Sequence, residues 1–300
     1  AMKVLVLGTP GQLGHELMRA SWPIGVSLAG VGHPDFDMSL EKDVLRVVAE
    51  YDPNLVINAT AYTAVDKAEK EPELAFAVNR DGPRFLAQDC ARRGIPVIHV
   101  STDYVFDGTK DGWYVEEDPI APLNVYGASK AAGELEIREI WHRHVILRTT
   151  WVYAAHGTNF VKKMLHLGAE RETLSVVADQ YGAPTAAADL AATITSVVAH
   201  IAQGGKAWGT YHATGSGETT WHGFAEHIFQ RLEQETGRRP ILHAITTDNY
   251  PTPARRPKNS RLDCTKLKNN FDIVLPHWQK SLDRVIDELF ALSSRQERRS

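Results

Sequence analysis

A β-branched run that ends in a glycine turn and restarts at once as a helix constrains this chain more than any other feature. "KVLVLG" (3–8) leads into "TPGQLGHELMRA", placing Gly8, Gly11 and Gly14 as G-x-x-G-x-x-G between a strand and a helix. Each glycine has a steric use: a tight turn, close approach of backbone to a pyrophosphate, and close helix-to-strand packing, with the anion at a helix N-terminus. Plain glycine turns use the same letters, so the pattern acquires meaning only from the rest of the chain.

Strand and helix patterns alternate through the first half of the sequence. "VSLAGVG" (26–32), "LVINAT" (55–60), "IPVIHVST" (95–102) and "HVILRTT" (144–150) read as strands. "LEKDVLRVVAEY", "PELAFAVNRDGPRFLAQDCARR" and "YGASKAAGELEIREI" carry helical apolar spacing. This predicts an α/β protein: a Rossmann-like, doubly wound parallel sheet over residues 1–150, with a smaller mixed α/β substrate-binding domain over 151–300. A strand and helix from about 173–205 are expected to complete the sheet. Helices are expected over 158–168, 187–202, 221–236 and 276–292.

Composition excludes several function classes. A formal net charge of −4 gives no overall basic character, so no nucleic-acid partner is expected. Two cysteines, Cys90 and Cys264, make neither a disulfide framework nor a cysteine-based zinc cluster. "LAATITSVVAHIA" (190–202) is too short and too polar to span a bilayer, so no membrane association is expected. The first strand begins where a leader sequence would lie, and a cytoplasmic protein is the expectation.

Polar groups gather at successive strand ends, where open α/β sheets bind their ligands. "VSTDYVFDG" puts Ser101 and Thr102 there, and "RTTWVY" does the same for Trp151. Between them "VYGASK" spaces Tyr126 and Lys130 four apart, one helical turn on one face. Free tyrosine titrates near about 10, so a neutral phenol donates sluggishly unless its phenolate is stabilised. A neighbouring ammonium is expected to lower that value. The second strand ends without the acidic residue that favours NAD or the arginine that favours NADP. Gly32 and His33 come first there, then Asp35 and Asp37.

"NATAYTAVDKAE", "STDYVFDG", "VYGASK", "RTTWVYAAHGTNFVKKML", "DQYGAPT" and "YPTPARRPKNSRLD" together resemble the dTDP-4-dehydrorhamnose reductase family of the extended short-chain dehydrogenase/reductase superfamily. The likeness runs from about residue 3 to about residue 290. Tyr-x-x-x-Lys marks only the superfamily; the later blocks single out the reductases. The resemblance implies reduction, by NADPH or NADH, of the C4 ketone of dTDP-4-dehydro-6-deoxy-L-mannose. The product, dTDP-L-rhamnose, completes a pathway that supplies cell-surface polysaccharide. It implies Tyr126 as proton donor, Lys130 on the nicotinamide ribose and Thr102 near the reacting oxygen. It places Gly11, Gln12 and Leu13 at the pyrophosphate, Asp37 and Met38 by the adenine, and Ala61, Tyr62 and Thr63 along the cofactor. Thr102, Asp103 and Trp151 would face the sugar nucleotide, and Arg256 in the basic loop "PARRPKNSR" would neutralise its diphosphate. Some members hold Mg²⁺ with carboxylates at a dimer interface, so the resemblance allows a homodimer. Glu16 and Glu288 match those ligands, but the middle one falls at Ala188, beside Asp189, and no metal is assigned.

Two other readings share the scaffold. A dehydratase or epimerase needs a further acid–base group. Dehydratases of the superfamily carry Thr-Asp-Glu where this chain has Thr102-Asp103-Tyr104, and Cys90 sits mid-helix. A non-catalytic regulatory subunit, like that of eukaryotic methionine adenosyltransferase, does not need an intact Thr102, Tyr126 and Lys130.

Overall fold

Val4, Leu5, Val6 and Leu7 are each at most 1% exposed, so the first strand is covered on both faces. The computed structural model describes residues 1–300. Its main strands are β1 (Met2–Leu7), β2 (Val26–Val31), β3 (Leu55–Asn58), β4 (Val97–Thr102), β5 (His144–Thr149), β6 (Thr173–Val177), β7 (Gly209–His212) and β8 (Ile241–Ile245). Six of them form one sheet in the order β7-β5-β4-β3-β1-β2, every pair parallel. The principal helices are α1 (Gln12–Arg19), α2 (Glu41–Tyr51), α3 (Gly82–Arg93), α4 (Val125–Ile140), α5 (Phe160–Glu170), α6 (Ala187–Ala202), α7 (Trp221–Thr236) and α8 (Trp278–Arg299).

Alternate residues of each strand feed opposite layers. Val4, Val6 and Ile57 pack with Leu13 and Leu17 of α1 and with Leu190 and Ile194 of α6. Leu5, Leu7 and Val56 pack on the other side, against Val44 and Val47 of α2 and Leu86 and Cys90 of α3. A separate apolar cluster joins α5, α7, α8 and β6, through Met164, Phe224, Phe229, Leu174 and Ile286 among others.

One expectation needs correcting. Residues 173–177 do not complete the sheet: β6 pairs with β8 in a two-stranded parallel ribbon. Its burial alternates, with Leu174 and Val176 inward and Thr173 and Ser175 exposed, which suits a ribbon wet on one face. The sheet closes instead on β7, the short polar segment "GTYH", alongside β5. Helix α6 does cover the sheet, with the bounds its periodicity predicted.

The chain runs from β1 outward to β2 and returns to β3 on the opposite side of β1. That reversal opens a crevice outside the carboxyl ends of β1 and β3, where ligands of such sheets sit.

Candidate active site

The crevice contains a groove of about 180 Å³ lined by residues that come after three strands. Gly8, Pro10 and Gly11 come from β1, Gly32, His33, Asp37 and Met38 from β2, and Ala59 and Ala61 from β3. Gly8 has φ +99°, and a Cβ there would lie 2.8 Å from the Ala59 carbonyl oxygen. A Cβ on Gly14 would lie 2.0 Å from the Gly8 carbonyl oxygen, so helix and turn touch through backbone. Gly11 begins α1 without a side-chain cap, and no acidic residue stands in the first turn. The first N–H groups of α1 are thus aimed outward and unneutralised, which is what a pyrophosphate requires. The residues present fit a dinucleotide.

Not every expected cofactor residue faces this groove. Leu13 is buried in the core, so only its backbone is available. The Gln12 side chain accepts from Asn159 Nδ2 at 3.0 Å. Thr63 is exposed. Tyr62 is pinned through its backbone: its N–H donates to Asn79 Oδ1 at 2.9 Å and its carbonyl accepts from Asn79 Nδ2 at 3.0 Å. Asn79 also donates to Ser129 Oγ at 3.0 Å, so one buried amide ties the strand-3 loop to α4. Sequence reasoning missed Asn79, which sits in a wide-turn segment, Ala77–Asp81, a geometry that often marks functional helices.

Helix α4 brings in Tyr126 and Lys130. Asn124 caps it, accepting from the Gly127 N–H at 2.7 Å. The small residues of "YGASKAAG" let the helix touch its neighbours through backbone. A Cβ on Gly127 would lie 2.2 Å from the Tyr104 carbonyl oxygen, and one on Gly133 2.0 Å from that of Asn79. Lys130 is 3% exposed, and its Nζ donates to the Val100 carbonyl at 2.7 Å. Burial lowers its pKa to about 8, with the charge of Glu134 opposing the fall. Burial raises the Tyr126 phenol above its ordinary value. Asp103 adds to that rise, and a hydrogen bond with Thr102 works against it. The lowering by Lys130 that the spacing suggests is not seen: its Nζ turns to the Val100 carbonyl, and the hydrogen bond with Thr102 is what opposes the rise.

Asp103 is 3% exposed, and its Oδ2 has no hydrogen-bond partner. Burial pushes its carboxyl up to about 7, against hydrogen bonds from Ser260 and Thr102. Thr102 Oγ1 accepts from the Tyr104 N–H at 3.2 Å, and the Tyr104 and Tyr126 rings meet edge to face at 5.8 Å. Trp151 lies beyond β5 with φ +46° and stacks on Trp221, ring centres 3.9 Å apart. Arg256 is not free for a diphosphate in this state. Its terminal nitrogens grip both carboxylate oxygens of Asp66, and its neighbour Arg255 receives Asn124 Nδ2 on its carbonyl at 2.7 Å.

The carboxylates considered for a metal are otherwise engaged. Arg19 bridges Glu16 at 2.7 Å and Glu288 at 2.8 Å, while Asp189 holds Ser281 and Arg284. With Ala188 supplying no ligand atom, these residues do not fit a cation. Cys90 is fully buried and its thiol is pushed up to about 12, so it is no base for an epimerase.

A doubly wound sheet with a glycine groove at its switch point, and Thr, Tyr and Lys beside it on β4 and α4, defines an oxidoreductase of the short-chain dehydrogenase/reductase class. Over residues 2–291 the chain matches the family described as the RmlD substrate binding domain, and it belongs to that family. It is 45% identical to a dTDP-4-dehydrorhamnose reductase of Sinorhizobium fredii, over 95% of this chain and 97% of that protein. It is 43% identical to the dTDP-4-dehydrorhamnose reductase of Salmonella typhimurium, over 98% of this chain and the whole of that one. Among solved structures it resembles a dTDP-4-dehydrorhamnose reductase of Bacillus anthracis in complex with NADP. The TM-score is 0.89 at 36% identity, covering 96% of this chain and 99% of that one.

Proposed function

We propose that this protein reduces the C4 ketone of dTDP-4-dehydro-6-deoxy-L-mannose to dTDP-L-rhamnose, using a reduced nicotinamide dinucleotide held in the groove of Gly8, Gly11 and Gly32. The observation that carries the reading is full-length likeness to reductases of this one substrate in a chain that retains Thr102, Tyr126 and Lys130.

When bound, the dinucleotide supplies a hydride to the ketone carbon. The chain supplies the proton. Tyr126, its pKa raised by burial, is fully protonated at neutral pH and gives its proton to the C4 oxygen as negative charge develops there. Thr102, whose hydroxyl donates to Asp103 Oδ1 at 3.3 Å at rest, would turn that one proton to the phenol oxygen and stabilise the phenolate left behind. Lys130, one helix turn along α4 from Tyr126, would hold the ribose hydroxyls of the bound dinucleotide. Asp103 and Trp151 border the sugar nucleotide, and residues 151–300 form most of its binding domain. Tyr104, standing where a dehydratase carries glutamate, supplies no base for water elimination.

The test is NADPH consumption with this substrate and identification of the product. Turnover yielding dTDP-L-rhamnose is expected. NADPH oxidation with a different nucleotide sugar but none with this one overturns the assignment.

A further inference from the structure

Tyr126 and Lys130 are two rungs of a ladder whose third rung the mechanism does not use. Glu134 comes four residues after Lys130, on the same face of α4. It is completely buried, while its neighbour Leu135 is 50% exposed, an inversion of the usual helix pattern. A carboxylate in that position requires strong partners.

The sheet supplies them in one row. His212 of β7, Arg148 of β5 and Ser101 of β4 are register partners, so they project from the same face. Arg148 grips Glu134 from two nitrogens, Nε at 3.0 Å and Nη2 at 2.8 Å. Ser101 Oγ donates to Oε2 at 2.5 Å, and Arg138 reaches Oε1 from the next turn of α4 at 2.9 Å. These contacts hold the carboxyl down to about 2 in spite of burial, so it is ionised at every working pH. Arg148 and Arg138 are the cations on the far side of the carboxylate, and the histidines near the ladder carry no charge. Burial and then the charge of Lys130 keep His99 of β4 well below its ordinary value. Burial, with Arg148 beside it, brings His212 down to about 3.

We propose that Glu134, fixed by Ser101 and Arg148, is a positioning residue whose buried negative charge keeps Lys130 protonated during the reaction. The inference rests on Lys130 acting as the proposed function assigns. Lys130 makes a single hydrogen bond, to a neutral carbonyl, and Glu134 is the one group that raises its pKa. With Glu134 in place that value is about 8, close to neutrality, so loss of the countercharge leaves burial unopposed and the ammonium no longer persists.

The test is the pH dependence of kcat/KM for wild type, Glu134→Gln and Glu134→Asp. In the wild type, activity falls as pH rises through the Lys130 value. Glu134→Gln should move that limb to lower pH by about one unit, a tenfold change in the protonation equilibrium. Its KM for NADPH should rise at neutral pH and recover on acidification. Glu134→Asp, which keeps the charge, should retain the wild-type limb. Because Gln leaves Arg148 underpaired, the double variant Glu134→Met with Arg148→Met provides a second measurement. Replacing a buried ion pair by apolar residues of similar size commonly preserves folding. It too should show the shifted limb. An unshifted limb in either folded variant overturns the proposal, as does loss of fold in both while Lys130→Met folds. Full turnover by Lys130→Met would instead remove the catalytic reading of Lys130, a separate failure.

Discussion

The indole of Trp151 lies 3.9 Å from that of Trp221, nearly parallel to it, so one face of the ring at the end of β5 is already covered. A sugar nucleotide must use the other face or displace Trp221. Trp151→Ala should therefore raise KM for the dTDP-sugar by about tenfold, ~1.4 kcal/mol, with KM for NADPH unchanged. Steady-state kinetics with each substrate varied in turn checks this. An equal rise in both would make the ring a support of the fold rather than of the substrate.

Tyr126→Phe removes the transferable proton and little else. Turnover should drop on the order of 10²- to 10⁴-fold while NADPH still binds, as fluorescence titration would show. A variant keeping a substantial share of wild-type turnover would exclude Tyr126 as the donor.

Asp103 predicts an unusual pH dependence of stability. Its folded pKa is raised to about 7, whereas an unfolded aspartate titrates near about 4. Between those values the folded chain holds a proton that the unfolded chain has released. Stability contributed at low pH is thus lost as pH rises through 7. Asp103→Asn should flatten this part of the profile, measured as thermal midpoint against pH. A slope identical to wild type would show that Asp103 is charged in the folded state.

Cofactor choice should be loose. A Cβ at Gly32 would lie 2.2 Å from Pro10 Cδ, so the end of β2 has no room for an acidic side chain that would reject a 2′-phosphate. His33, exposed at the groove, offers a ring nitrogen able to hydrogen-bond one. Efficiencies with NADPH and NADH should fall within roughly tenfold, ~1.4 kcal/mol. A hundredfold preference for either cofactor would place the reader elsewhere.

Chelation should be silent. With Arg19 already bridging Glu16 and Glu288, EDTA is expected to leave turnover and thermal midpoint unchanged, whereas Arg19→Ala should lower the midpoint. Loss of activity restored by Mg²⁺ would contradict this.

How much of this was legible in the letters depended on the kind of interaction involved. The bounds of α6 and α7 come from apolar periodicity, which packing against a core reinforces. The strand β7 was not legible: "GTYH" has no apolar run, and its conformation is dictated by β5 beside it. Tyr126 and Lys130 were readable because their chemistry is local to one helix turn. Glu134 was not, since in "GELEIREI" only its spacing sets it apart from Glu136 and Glu139, and its partners come from the sheet row of Ser101, Arg148 and His212. The four-residue spacing that continues past Lys130 was the available signal. Arg256 looked free because its partner, Asp66, lies 190 residues away.

That separation bears on how the protein is made. The glycine groove draws only on residues 8–78, which leave the ribosome early. The clasp of Asp66 on Arg256 waits for most of the chain. Domains form as their sequence emerges, at about 5–20 residues per second, and contacts of long separation come last. The residues that line the groove are therefore all synthesised many seconds before that clasp can close. The core beneath that groove also takes in Leu267 and Leu275, so a chain stopped short of residue 256 would lack part of the floor of the groove as well as the clasp.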